Sequence, residues 1–147
     1  MIQIKRILCP YDFSEYADEA LNYALRLADS ETQIVLLNVI QLPYIVDPSG
    51  FTYSHVDLEV VTQVAEDALI TRVSDLGKKY PELKITFAVE VDDDPADAIL
   101  KAQHAGVYDL MVIGSHGRKG LGRLLMGSVS ESVLREATCP VMIIKKN

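Results

Sequence analysis

Residues 114 to 128 read GSHGRKGLGRLLMGS, and the reading of this stretch decides the rest of the chain. An apolar run, Leu110 to Ile113, precedes it, and a helix-like run, Val129 to Ala137, follows. Strand, glycine-rich loop and helix N-terminus therefore succeed one another. Five glycines (Gly114, Gly117, Gly120, Gly122, Gly127) and three cations (Arg118, Lys119, Arg123) lie here without an acidic residue, in a chain of formal net charge -7. Glycine permits positive φ and close backbone approach, and free amides at a helix N-terminus form a cradle for anions. A local basic patch on an acidic protein points to an anionic ligand, and the donor geometry favours phosphate. Ser128 has two readings. With Glu131 three residues on it completes a capping box, and its hydroxyl is also placed to contact a phosphate.

Two commoner glycine motifs fail. Gly122 to Ser128 has the Gly-x4-Gly spacing of a Walker A loop but lacks its lysine, and the run from Gly120 and Gly122 meets Leu125 where a dinucleotide fingerprint needs its third glycine. What remains is Gly-x2-Gly-x9-Gly-Ser, formed by Gly114, Gly117, Gly127 and Ser128. This pattern resembles the nucleotide-binding motif of the universal stress protein family, in the branch that binds ATP. With the opening PYDFSEYADEAL and the closing ATCPVMII, the resemblance covers essentially the whole chain.

The 147 residues suit one domain, residues 1–147, with 49% hydrophobic and 24% charged residues as in an ordinary soluble globular protein. The acidic balance argues against nucleic acid or an anionic membrane as partner. No apolar run approaches a membrane span and MIQIKRILCP lacks a signal-peptide layout, so a cytoplasmic protein is expected. Cys9 and Cys139 stand far apart, each before a proline, and read as two reduced thiols.

Working outward, Ile4 to Tyr11 reads as a first strand, with Ser14 as N-cap of a helix whose Ala17, Ala20, Leu21, Ala24, Leu27 and Ala28 recur at helical spacing. Ile34 to Ile40 (IVLLNVI) is apolar on both faces, as a central parallel strand must be. Residues 41–57 form a long connection with Pro43, Pro48 and Gly50, read either as a mobile link or as a flap or subunit contact. A second helix spans Val60 to Leu76, with Val61, Ala65, Ala68 and Leu76 on one face. In Lys84 to Val91, Ile85, Phe87, Val89 and Val91 alternate with more polar residues, the pattern of an edge strand. Asp94-Pro95 opens a third helix that stops at Gly106. Asp109 to Ile113, the glycine loop, the fourth helix and Val141 to Ile144 complete the chain.

Strands alternating with helices specify a three-layer α/β fold around an open parallel five-stranded sheet. The order is 3-2-1-4-5 or 2-1-3-4-5, and an edge position for the third strand selects the first, a Rossmann-like arrangement that the resemblance also implies. The chain then reverses direction between strands 1 and 4, so a ligand crevice lies between Asp12 and Gly114. Asp12 is either a turn residue before Ser14 or a group that meets a divalent cation or ribose hydroxyls.

The resemblance implies that Pro10, Tyr11, Asp12 and Phe13 border the nucleotide, that the Val39 backbone meets adenine, and that Ile113 and Gly114 lie near the ribose. It further implies that Gly117, Gly127, Ser128 and Val129 hold the phosphates. Arg118, Lys119 and Arg123 then contribute general electrostatics. A cofactor ATP, with Mg2+ on its triphosphate and Asp12 as the metal-side carboxylate, completes the expectation. His116 reads as a solvated loop residue or a phosphate donor, while His55 and His104 show no ligand spacing.

No catalytic constellation stands out, which favours an ATP-binding regulatory protein of the stress-response type, with slow hydrolysis at most. A nucleotide-free partner-binding dimer and a phosphotransferase or hydrolase are the rival readings. The last strand, Val141, Met142, Ile143 and Ile144, is apolar yet at an edge, so a second copy is expected to pair with it, as the resemblance also implies. One departure concerns Asp92-Asp93-Asp94, which stands where many relatives have glycine before the aspartate-proline pair and brings carboxylates to the rim.

Overall fold

The computed structural model describes residues 2–41, 45–46, 48–50, 52–53, 57–118 and 126–146. Lys119, Gly120, Gly122, Arg123 and His55 lie outside the described residues. Among the described residues seven strands, β1 (Arg6–Pro10), β2 (Gln33–Ile40), β3 (Ile45–Val46), β4 (Thr52–Tyr53), β5 (Lys84–Val91), β6 (Leu110–Gly114) and β7 (Val141–Ile144), accompany four helices. The helices are α1 (Glu15–Leu27), α2 (Leu58–Lys79), α3 (Pro95–Ala105) and α4 (Ser128–Glu136). Five strands form an all-parallel sheet in the order β5-β2-β1-β6-β7, while β3 and β4 make a separate antiparallel pair within the long 41–57 connection. Counted within the large sheet alone, the order is 3-2-1-4-5, with β5 at the edge that its alternating pattern requires.

Strand alternation divides the core into two layers. Ile7 and Cys9 of β1, Ile34 and Leu36 of β2 and Val112 of β6 pack against Ala20, Leu21 and Ala24 of α1 and Leu69 and Leu76 of α2. On the opposite face Leu8, Val35, Leu37, Met111 and Ile113 meet Ile99 and Leu100 of α3 and Val133 of α4. The first two crossover helices thus lie on one face and the last two on the other, and the winding reverses at the β1/β6 boundary.

Helix starts follow their caps where the side chain is short and polar. Ser14 Oγ accepts from the Ala17 amide at 3.1 Å, and Asp94 accepts from Ala96 and Asp97 with Pro95 in the first turn. Two apolar assignments need correction. In α1 it is Leu25 that is buried, while Leu27 is 40% exposed; in α2 Leu69 is fully buried, while Ala68 faces solvent. In α2 the hydrophobic residues wind around the axis rather than forming one stripe, so spacing alone does not rank them. Cys9 and Cys139 are both free thiols, and burial pushes that of Cys9 up to about 12. Among the described residues no helix is long and apolar enough to cross a membrane.

Candidate functional site

Where the winding reverses, the C-terminal ends of β1, β2 and β6 open onto a cavity of about 920 Å³, within the size range of small-molecule sites. Eleven of the residues singled out from the sequence line it: Pro10, Tyr11, Asp12, Val39, Ile113, Gly114, Gly117, Arg118, Gly127, Ser128 and Val129. Phe13 does not. Its ring packs edge-on against Tyr11 at 5.0 Å, on the α1/α2 side of the sheet, and its backbone takes φ +64°, unusual for a bulky residue.

The turn after β1 is fixed from three sides. Tyr11 donates its hydroxyl to Asp18 at 2.6 Å, and Arg72 of α2 donates to the same carboxylate at 3.0 Å. Burial, with the Asp18 hydrogen bond second, pushes the Tyr11 phenol well above its ordinary range. Buried Asn38, the one polar residue of the IVLLNVI strand, donates to the Tyr11 carbonyl at 2.9 Å. Sequence reading passed over Asn38, although a lone amide in an otherwise apolar strand is a signal of a specific backbone contact.

Asp12 has a role that neither sequence reading contained in full. Its Oδ1 accepts from the Ser14 amide at 3.0 Å, the turn role, and its Oδ2 accepts from the Arg118 amide at 2.9 Å. One carboxylate therefore ties the first loop to the glycine loop. Among the described residues no group of three or more His, Cys, Asp or Glu gathers to hold a metal ion, and a lone carboxylate such as Asp12 holds a cation best beside oxygens that a ligand supplies.

The motif glycines are explained by contacts within the protein rather than by positive φ, which among the described glycines occurs only at Gly50. A Cβ on Gly114 would stand 2.8 Å from the Tyr16 Cβ and 2.9 Å from its backbone, so this glycine lets α1 close onto β6. One on Gly117 would stand 2.8 Å from Asp12 Oδ2, and one on Gly127 3.3 Å from the Ser115 carbonyl. That carbonyl also accepts from the Gly127 amide at 2.6 Å, closing the base of the loop.

The capping-box reading of Ser128 is corrected. Gly127 is the N-cap of α4, and Ser128 is already its first helical residue. The capping carbonyl belongs to Gly127, which accepts from the Glu131 amide at 3.0 Å. Ser130 is buried and packs its Oγ 2.8 Å from the Ser115 carbonyl and 3.0 Å from that of Gly127. Glycine caps nearly as well as serine, so a Gly-Ser pair does not reveal which residue starts the helix. Ser128 remains exposed on the cavity wall without a hydrogen bond among the described residues.

His116 is half-buried, not solvated: its ring tilts against Tyr16 at 5.2 Å, Nδ1 lies 3.0 Å from Ser115 Oγ, and Nε2 is buried without a partner among the described residues. Across the cavity stand Gln41, Asp93, Asp94, Pro95, Ala96 and Ile99, of which the sequence had indicated only the aspartates as a rim. One side of the cavity therefore offers backbone and hydroxyl donors with Arg118, and the other offers carboxylates.

Similarity to known proteins agrees with this architecture. The chain is 28% identical over 97% of its length to a universal stress protein of Methanocaldococcus jannaschii, of which it covers 82%. It also aligns over 91 residues with a universal stress protein of Mycobacterium tuberculosis at 37% identity, spanning 30% of that longer chain. Among solved structures, a universal stress protein in complex with cAMP superposes with TM-score 0.69 at 21% identity, covering 99% of this chain and 100% of that one. An Arabidopsis thaliana universal stress protein with AMP bound superposes with TM-score 0.60 at 22% identity, covering 97% and 92%. The family model described as the universal stress protein family matches residues 3–145, and the chain belongs to that family.

Proposed function

We propose that this protein binds an adenine nucleotide, ATP in its fullest form, in the cavity at the β1/β6 switch point, and that occupancy serves regulation rather than efficient catalysis. The observation that carries the reading is the meeting of three donor features at one end of the cavity: the N-terminus of α4, the exposed Ser128 hydroxyl and the Arg118 side of the glycine loop. Such an end is suited to phosphate oxygens. The apolar middle, with Val39, Ile99 and Ile113, suits a base and ribose. Two relatives of the same fold hold cAMP and AMP, which supports an adenine nucleotide as the ligand class. Magnesium would enter on the triphosphate, with Asp12 as its protein carboxylate.

A regulatory role is the reading taken with this site, whose described lining residues include no lysine to set on a γ-phosphate. The same reading includes a homodimer through β7, whose Val141, Met142 and Ile143 are half-exposed at the sheet edge. Lys146 just beyond it pairs with Glu15 of α1. The test is to denature purified protein and identify released small molecules by mass spectrometry. An adenine nucleotide at near-stoichiometric amount is expected; a different class of bound metabolite would contradict the reading. ATP turnover well above a buffer control, abolished in Asp12→Ala, would instead favour an enzyme.

A further inference from the structure

The end of the cavity opposite the glycine loop carries a feature that phosphate binding does not require. Gln41, just past β2, and Asp93, in the loop between β5 and α3, both line it. Of the three successive carboxylates there, two are committed inside the protein. Asp92 accepts from the Asp94 amide and pairs with Lys101, and Asp94 caps α3. The Asp93 carboxylate takes neither a hydrogen bond nor an ion pair among the described residues, and the residue is exposed on the cavity.

Gln41 is oriented by its own bond. Its Nε2 donates to the Asp93 carbonyl at 2.8 Å, and since a carbonyl only accepts, the amide nitrogen is identified and Oε1 is the atom left over. Two different elements thus present acceptors at this end: carboxylate oxygens from one and an amide oxygen from the other. Buried on binding, such acceptors need donors from the ligand, because an unmet polar group is costly. From the β5 side to β6 is three strand spacings, about 14 Å. A ligand whose phosphates rest at Gly117 and Ser128, with its base among Val39, Ile99 and Ile113, therefore turns the outer edge of that base toward Gln41 and Asp93.

Building on the nucleotide reading, we propose that Asp93 and Gln41 read the exocyclic amine of adenine and make base recognition depend on that amine. The recognition would come from side chains of this sequence, an aspartate and a glutamine on two different elements.

The test is calorimetric titration of the full chain with AMP and with purine riboside 5′-monophosphate, which is AMP with the amine replaced by hydrogen. AMP should bind about tenfold more tightly, the scale of one hydrogen bond to a charged group. Asp93→Ala should lower AMP affinity about tenfold and leave the amine-free analogue unchanged. Gln41→Ala should act in the same direction with a smaller effect. Because the Asp93 side chain makes no bond among the described residues, the thermal unfolding midpoint of Asp93→Ala should match that of the wild type. Equal wild-type affinities for the two nucleotides, or an Asp93→Ala variant that weakens both alike, overturn this proposal and leave nucleotide binding standing. If neither nucleotide binds, the reading it builds on is overturned as well.

Discussion

The two ends of the cavity are built in opposite ways. At the glycine-loop end, the chain is tied down by its own bonds: Asp12 holds the Arg118 amide, Ser115 holds Gly127, and Ser130 backs both carbonyls. At the Gln41/Asp93 end the Gln41 amide and the Ile40 carbonyl tie β2 to the loop before α3, but among the described residues the Asp93 carboxylate is left without a partner. The first end is preorganised to donate; the second is open and accepts. A ligand complementary to both must carry negative charge at one end and N–H donors at the other, which describes an adenine nucleotide more closely than it describes a free phosphate.

The sharpest way to break this contrast is at Gly114. Replacement by alanine drives a Cβ to within 2.9 Å of the Tyr16 backbone, and backbone cannot swing aside as a flexible side chain does. Gly114→Ala should cost about 3 kcal/mol and lower the melting temperature by about 10 °C, read by thermal and urea unfolding. A loss below about 1 kcal/mol would mean that α1 and β6 are not held at this separation.

A smaller effect is expected at the latch. Asp12→Ala removes the acceptor of the Ser14 and Arg118 amides, and should cost about 1.5 kcal/mol while speeding hydrogen exchange at Arg118 by at least about tenfold. Exchange at Arg118 as slow as in the wild type would show that the latch does not order the loop.

The smallest effect distinguishes two serines next to helix starts. Ser14→Ala should cost about 1 kcal/mol, since a true cap is lost. Ser128→Ala should change stability by less than about 0.5 kcal/mol, because Ser128 caps nothing, and should weaken nucleotide binding a few-fold. Equal losses of stability in the two variants would restore Ser128 as a cap.

The same contrast explains what the sequence disclosed. Hydrophobic patterning sufficed for the sheet: IVLLNVI could only be a strand covered on both faces, and the alternation from Ile85 to Val91 placed β5 at an edge. Glycine spacing and topology brought the glycine loop and Asp12 into view, and the family resemblance supplied Pro10, Tyr11, Val39, Ile113 and Val129. The reasons for individual residues were not legible, because they depend on contacts between distant segments. Gly114 is small on account of Tyr16, and Gly117 on account of Asp12. Gln41 looked like the first residue of a loop, and Asp93 like one of three equivalent carboxylates. Only the hydrogen bonds of Asp92 and Asp94 single it out.

The central claim is that the donor end of this cavity holds the phosphate of an adenine nucleotide. Its most direct test is a calorimetric titration of the protein, cleared of bound small molecules, with AMP and with adenosine. The account predicts saturable one-to-one binding of AMP and a loss of about a hundredfold for adenosine, the scale of two charge-assisted hydrogen bonds. AMP that fails to bind at millimolar concentration, or that binds no better than adenosine, would contradict it.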